Sequence, residues 1–317
     1  MLTSQSESKN SVFIFIKLAL CYLWKKMYFC RTNEDTEKQR KKMLDKLKNL
    51  KVGVALSGGG AKGIVHLGVL KALEDRDFRI DMLSGVSAGG IMAALYADGN
   101  KPEDICRFIK KSNLYKMVSF SMPTKGGLTN MDDFQEFLQT MLKAKTFEDL
   151  KIPLWVNATE LNEGRNVYFH TGELLNRLIA SASVPLFFRP KILDGKAFVD
   201  GGFFCNMPAE KLKRCGCDLV IGVHCNPINY HESNDGFWNV AERVFHLAIN
   251  GNTIEQKKYC DIVIETLAAQ DYGMFEAEKA DELYTIGYEA ALEALDKFDW
   301  DEFMTNRKIS RQIGEGQ

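Results

Sequence analysis

Gly85-Val86-Ser87-Ala88-Gly89 constrains this chain more than any other stretch. It follows Ile80-Asp81-Met82-Leu83-Ser84 and precedes Ile91-Met92-Ala93-Ala94-Leu95-Tyr96, so it reads as strand, sharp turn and helix. Such a turn is strained and crowded, which is why glycines flank the serine, and it lifts the hydroxyl clear of the backbone. A hydroxyl held above a helix N-terminus is suited to attack an ester carbonyl. The five-residue pattern by itself arises by chance in about one chain in ten of this size, so other segments have to supply the partners.

A second glycine cluster supplies one. Val52-Gly53-Val54-Ala55-Leu56-Ser57 reads as a buried strand running into Gly58-Gly59-Gly60-Ala61-Lys62-Gly63, with a helix following through Val65, Val69, Leu70 and Leu73. A phosphate-cradling P-loop requires Ser or Thr after its lysine, and Gly63 stands there instead. A dinucleotide fingerprint is formally present in Gly58, Gly60 and Gly63, with Asp81 downstream, yet the serine turn follows Asp81 at once, where such a unit has no use for it. The third reading is an oxyanion hole, in which the N–H groups of Gly59 and Gly60 converge on a developing negative oxygen. One such donor contributes about 3–4 kcal/mol to an acyl-transfer transition state. Lys62 reads either as a contact for a lipid phosphate or, more simply, as a solvated lysine.

A serine hydroxyl also needs a group to take its proton. The order serine, acid, histidine of common hydrolases would enlist His224 or His246 after Asp200, but neither lies in a glycine-rich loop that would present it. Asp200-Gly201-Gly202 follows the short strand Ala197-Phe198-Val199, and a carboxylate there could approach the hydroxyl directly. Burial would raise its pKa from about 3.9 toward the range a general base needs. The plain alternative is an Asp-Gly hairpin turn.

Taken together, the Gly58–Gly63 loop, the Gly85–Gly89 turn and Asp200-Gly201-Gly202 with Asn206 and Pro208 resemble the patatin-like phospholipases. Ala182-Ser183-Val184-Pro185 with Phe187, Phe188 and Pro190, and Asn157-Ala158-Thr159, are similar to family habit as well. The resemblance runs by motif from Val52 to Pro208, and the compact length is similar to bacterial single-domain members. It implies Ser87 as nucleophile, Asp200 as proton acceptor 113 positions later, and Gly59 and Gly60 as oxyanion donors, with Gly58, Lys62, Gly63, Gly85, Gly89, Gly201 and Gly202 supporting them. It also implies a three-layer α/β/α fold with a mainly parallel sheet, a lipid or phospholipid ester as substrate, and neither cofactor nor metal. An acyltransferase using the same acyl-enzyme, and a non-catalytic membrane-associated regulator, are the alternatives.

Composition bounds the rest. Hydrophobic residues at 45% and charged residues at 26% are ordinary for a globular protein, and a net charge of −1 supplies no field for nucleic acid. The eight cysteines form no metal-binding pair, since Cys215-Gly216-Cys217 is too tight for the usual spacing, and they read as reduced thiols of a cytoplasmic protein. Residues 1–50 read as an extension, 51–298 as the acyl hydrolase domain and 299–317 as a polar tail. The apolar run from Val12 to Trp24, broken by Lys17 and closed by Lys25-Lys26, is too short to span a bilayer. Residues 12–30 read as a peripheral membrane contact or as an extension packed on the body, and Glu37 to Lys51 as a basic helix. The spacing from Asn130 predicts a capped helix with Phe134, Phe137, Leu138 and Met141 on one face, and Glu278 to Phe298 reads as a long helix. Pro153–Thr159 and Asn166–His170 read as strands, and Ser112–Gly127 as an apolar flap or a packed loop.

Overall fold

The computed structural model describes residues 47–112, 131–185, 187–227, 236–270, 272 and 279–314. The apolar run at 12–30, most of the basic segment and almost all of the proposed flap lie outside them. The chain divides into two compact units: Leu50–Asp299, which holds the sheet, and a second drawn from the two ends of the chain.

The strands are β1 (Val52–Leu56), β2 (Met82–Gly85), β3 (Leu154–Glu160), β4 (Arg165–Phe169), β5 (Lys191–Leu193), β6 (Lys196–Asp200), β7 (Leu219–His224) and β8 (Ile262–Glu265). The helices are α1 (Val65–Asp75), α2 (Ala88–Ala97), α3 (Pro102–Lys111), α4 (Asp132–Met141), α5 (Leu175–Ala182), α6 (Ala209–Arg214), α7 (Phe237–Lys257), α8 (Ala280–Lys297) and α9 (Trp300–Gly314). Helix α9 occupies most of the segment read as a polar tail. Helix α4 starts at Asp132 with Met131 as its N-cap and no side-chain cap; Asp132 and Asp133 supply the acidic first turn instead.

β1 and β7 are buried at every position and apolar except for His224 at the end of β7, as strands covered on both faces must be. β3, β2, β1, β7 and β8 are parallel neighbours in that order, while β4 and β6 run antiparallel to β3, and β5 antiparallel to β6. Helices on both faces complete the three-layer α/β/α fold expected from the motifs. Against β1, the cluster of Ala55, Met207, Ala209, Leu212, Cys217 and Val220 seats α6. Elsewhere α1 and α8 cross in backbone contact: a Cβ on Gly68 would overlap the Tyr284 carbonyl, and one on Gly287 the Val65 carbonyl.

β3 positions the site. Its Val156 pairs with Gly85 of β2 and Phe169 of β4; its Ala158 pairs with Asp200 of β6 and Val167 of β4. A strand has only two edges, so β4 takes one, and β2 and β6 share the other, running toward each other. Their last residues, Gly85 and Asp200, end two register positions apart on β3. The Asp-Gly hairpin turn does exist, but one strand earlier: Asp194 and Gly195, with φ of 49° and 75°, join β5 to β6, as a type I′ turn requires of both central residues. Asp200 is thereby the end of a strand rather than a turn residue.

Gly68→Ala or Gly287→Ala is expected to destabilise the fold by about 1–3 kcal/mol through forced separation of α1 and α8. Gly251→Ala, in a helix with open space at its Cβ, is expected to stabilise by about 0.5–1 kcal/mol. Denaturant midpoints of the three variants check both signs.

Candidate active site

Ser87 is the N-cap of α2, with φ 52° and ψ −128°. That left-handed backbone costs a serine about 1–3 kcal/mol and persists only where its surroundings enforce it. Three contacts do so. The Ser87 N–H donates to Ser181 Oγ at 2.8 Å, Val86 N–H donates to Leu56 O at 3.3 Å, and Gly89 lies so close to the ends of β1 that a Cβ would overlap the Leu56 and Ser57 carbonyls. A Cβ on Gly85 would stand 2.7 Å from the Gly89 carbonyl carbon, and one on Gly63 2.6 Å from Ala88 Cβ. Both ends of the turn therefore accept only glycine.

Asp200 faces this serine. Its side chain is 2% exposed, accepts a hydrogen bond from the Gly202 N–H at 2.8 Å, and lies close enough to the Ser87 hydroxyl to feel it. Burial raises its pKa to about 6, against the opposing pull of the Gly202 N–H and the Ser87 hydroxyl. The backbone around it is tied to β3: Thr159 Oγ1 donates to Asp200 O at 2.9 Å, and Asn157 Nδ2 donates to Gly201 O and Cys205 O, both at 3.1 Å. Gly201 packs on the Asn157 carbonyl, leaving no room for a side chain.

Gly58, Gly59 and Gly60 line the same cavity as Ser87 and Asp200, together with Val184, Asn206, Asn226 and Ile249. The Gly58 N–H is committed to Asn206 O at 3.2 Å. Gly60 has φ 59°, and a Cβ on Gly59 would stand 2.6 Å from Cys225 Sγ. Lys62 corrects the solvated reading: it is 2% exposed, and its ammonium donates to Asn226 Oδ1 at 3.1 Å and to Gln270 O at 3.2 Å. With Oδ1 held by Lys62, Asn226 turns its NH2 end to the remaining space.

None of the described histidines lines the cavity. His224 is directed at Glu265, Nδ1 to Oε1 at 3.2 Å, at the end of β8, the edge strand three places from β2. His66 lies behind the glycine loop, its Nε2 donating to Ser57 O at 2.8 Å, and burial lowers its pKa to about 4, which keeps it neutral. Asp81 has its carboxylate occupied by the Val52 N–H at 2.9 Å and by Arg79, so nothing of a ribose site is assembled.

The patatin-like phospholipase model matches residues 54–213. The chain belongs to that family. Lysophospholipase NTE1 of Kluyveromyces lactis is 28% identical over 272 residues, covering 75% of this patatin-like chain and 18% of the relative. Lysophospholipase NTE1 of Candida glabrata is 30% identical over 204 residues, covering 61% and 12%. The chain thus spans under a fifth of the length of these relatives. Among solved structures, VipD from Legionella pneumophila aligns with a TM-score of 0.46 at 17% identity, over 78% of this chain and 67% of that one.

Sequence reading missed Ser181, Asn226, Asn252, Thr253 and Ile249. Of these, Asn252 holds the turn after Asp200: its Nδ2 donates to Gly202 O at 2.8 Å and Phe203 O at 3.1 Å, while Oδ1 accepts from Asn206 N. No local pattern marks it, because its partners lie on another element.

A carboxyl whose folded pKa is raised binds its proton more tightly folded than unfolded, so it favours the fold at low pH. That advantage disappears as pH climbs from about 4 to about 6. Asp200→Asn removes the cost of the buried charge and is expected to stabilise the protein at pH 8 by on the order of 3 kcal/mol, with little change at pH 4. Unfolding measured at both pH values tests this; equal shifts would contradict it.

Proposed function

We propose that this protein is a serine acyl hydrolase of lipid carboxylic esters, working through a Ser87–Asp200 dyad. The observation that carries the reading is one cavity shared by a strained, elbow-mounted hydroxyl and a buried carboxylate whose pKa is about 6. At neutral pH that carboxylate is ionised and is a far better proton acceptor than a free aspartate.

Ser87 Oγ attacks the ester carbonyl carbon as its proton passes to Asp200. The carbonyl oxygen becomes an oxyanion, received by the N–H groups of Gly59 and Gly60; Gly58, already bonded to Asn206 O, is not available for the role. Collapse of the tetrahedral intermediate breaks the bond to the alcohol, which leaves with the proton from Asp200 and an acyl-enzyme behind it. Water then attacks the acyl carbon, Asp200 takes its proton, and the fatty acid departs as Ser87 recovers its hydrogen. Lys62, buried behind Asn226, adds positive potential beside the glycine loop. Family membership supports a phospholipase class of substrate, and the NTE1 relatives support a lysophospholipid.

Ser87→Ala and Asp200→Asn are each expected to lower kcat/KM on p-nitrophenyl butyrate and lysophosphatidylcholine by at least about 100-fold. A fluorophosphonate probe is expected to label the wild type and not Ser87→Ala. The pH profile of kcat/KM is expected to rise with an apparent pKa near 6, as Asp200 loses its proton. At pH 5 the rate falls to roughly a tenth of its plateau. A flat acid limb, or full activity in Asp200→Asn, would remove Asp200 from the mechanism.

A further inference from the structure

The polar side chains lining the cavity are Ser87, Asp200, Asn206 and Asn226. The proposed reaction uses the first two, and hydrogen bonding decides which way each amide faces. Asn206 Nδ2 lies 3.2 Å from Thr253 Oγ1, whose own hydrogen goes to Ile249 O at 2.9 Å. Thr253 can therefore only accept, so the NH2 end of Asn206 points at it and the oxygen is left toward the glycines. A Cβ on Gly58 would stand 2.7 Å from Asn206 Oδ1, and one on Gly202 3.1 Å. Asn226 is fixed the other way round. Lys62 has hydrogens to give and no lone pair to accept with, so its contact at 3.1 Å is with Oδ1. Among the described residues that line the cavity, Asn226 thus supplies the only side-chain N–H. The residue is 8% exposed, and among the described residues nothing accepts from its Nδ2. A donor so enclosed is costly to leave unpaired.

The backbone that carries this amide is held in place. Asn226 follows β7, and the segment after β7 is laced to the segment after β1: the Ser57 N–H donates to Val223 O at 3.0 Å, and the Cys225 N–H to Ser57 Oγ at 3.1 Å. A Cβ on Gly59 would lie 3.3 Å from Asn226 Cβ, so the two residues stand side by side. We propose that Asn226 Nδ2 is a third donor of the oxyanion hole, beside the backbone N–H groups of Gly59 and Gly60. This role rests on the Ser87–Asp200 esterase reading and goes beyond it. A neutral amide gains most when the ester oxygen acquires its charge, which is when an interaction speeds the reaction. Lys62 strengthens it from behind, because a cation bonded to Oδ1 polarises the amide and makes its N–H a better donor. The buried lysine then acts on the oxyanion without touching it.

Two replacements in the full chain separate the N–H from everything else this side chain does. Asn226→Leu keeps the volume and adds no charge. Asn226→Asp keeps the volume and an oxygen for Lys62, and once ionised it has no hydrogen to donate. On p-nitrophenyl butyrate at pH 8, each is expected to lower kcat about 100-fold. Acylation and deacylation both pass through the oxyanion, so they slow together and KM stays within about threefold. A short alkyl trifluoromethyl ketone forms an adduct with Ser87 that carries the same negative oxygen. Its affinity is expected to fall in each variant by about the factor lost in kcat/KM. Normal kcat in either variant overturns the proposal: in Asn226→Asp alone it would make the side chain a partner for Lys62 only, and in Asn226→Leu alone it would leave mere charge repulsion. A fall in kcat with ketone affinity unchanged overturns it as well. A wild type that hydrolyses neither p-nitrophenyl butyrate nor lysophosphatidylcholine sinks the esterase reading itself, whereas a working wild type with working variants sinks only the third donor.

Discussion

A carboxylate buried beside a hydroxyl is the constraint around which the rest of the structure is arranged. Asp200 has to be shielded enough for its pKa to rise and yet hydrogen-bonded enough to ionise at neutral pH. Burial alone would leave a neutral acid, and a fuller set of donors would leave a base too weak to use. The Gly202 N–H and the Ser87 hydroxyl strike that balance. It depends on β3, whose single edge receives β2 from one direction and β6 from the other, so that the two strand ends face each other across Asn157. Asn157 and Thr159 then tie down the carbonyls around Asp200.

Much of this was legible in the residues because glycine is demanded by the backbone locally. The turn at Ser87 and the Gly58–Gly60 loop advertise themselves in a few positions. The approach of Asp200 to Ser87 is less plain, since strand pairing across more than a hundred residues creates it; the residues offered Asp200 as one candidate base against a hairpin turn, and the resemblance to a family singled it out. Lys62 was misjudged for a related reason: its burial is set by Asn226 and Gln270, 164 and 208 positions away. β5 is three residues long and β8 four, too short for periodicity to register. The Asp194-Gly195 turn carried a readable hairpin signal, yet Asp200-Gly201 offers the same dipeptide a few residues later.

Helix α7 escaped reading because it violates the pattern by which helices are found. Where most surface helices bury an apolar stripe, this one buries amides and hydroxyls that satisfy carbonyls and N–H groups of the turn following Asp200. Such local departures from the ordinary rule concentrate where function sets the terms. Here the departure puts a network of side-chain hydrogen bonds directly behind the candidate base.

The antiparallel run of β6 also decides where the gene can change length. Successive side chains on a strand point to opposite faces, so adding or deleting one residue between Gly195 and Asp200 would swing the carboxylate to the wrong side of the sheet. No rotamer could restore its reach. The exposed turn at 161–164, between β3 and β4, bears no such restriction. Insertions there lengthen a loop and leave the strand ends where they meet, so natural variation in chain length has one tolerant hinge and one forbidden one within forty residues of each other.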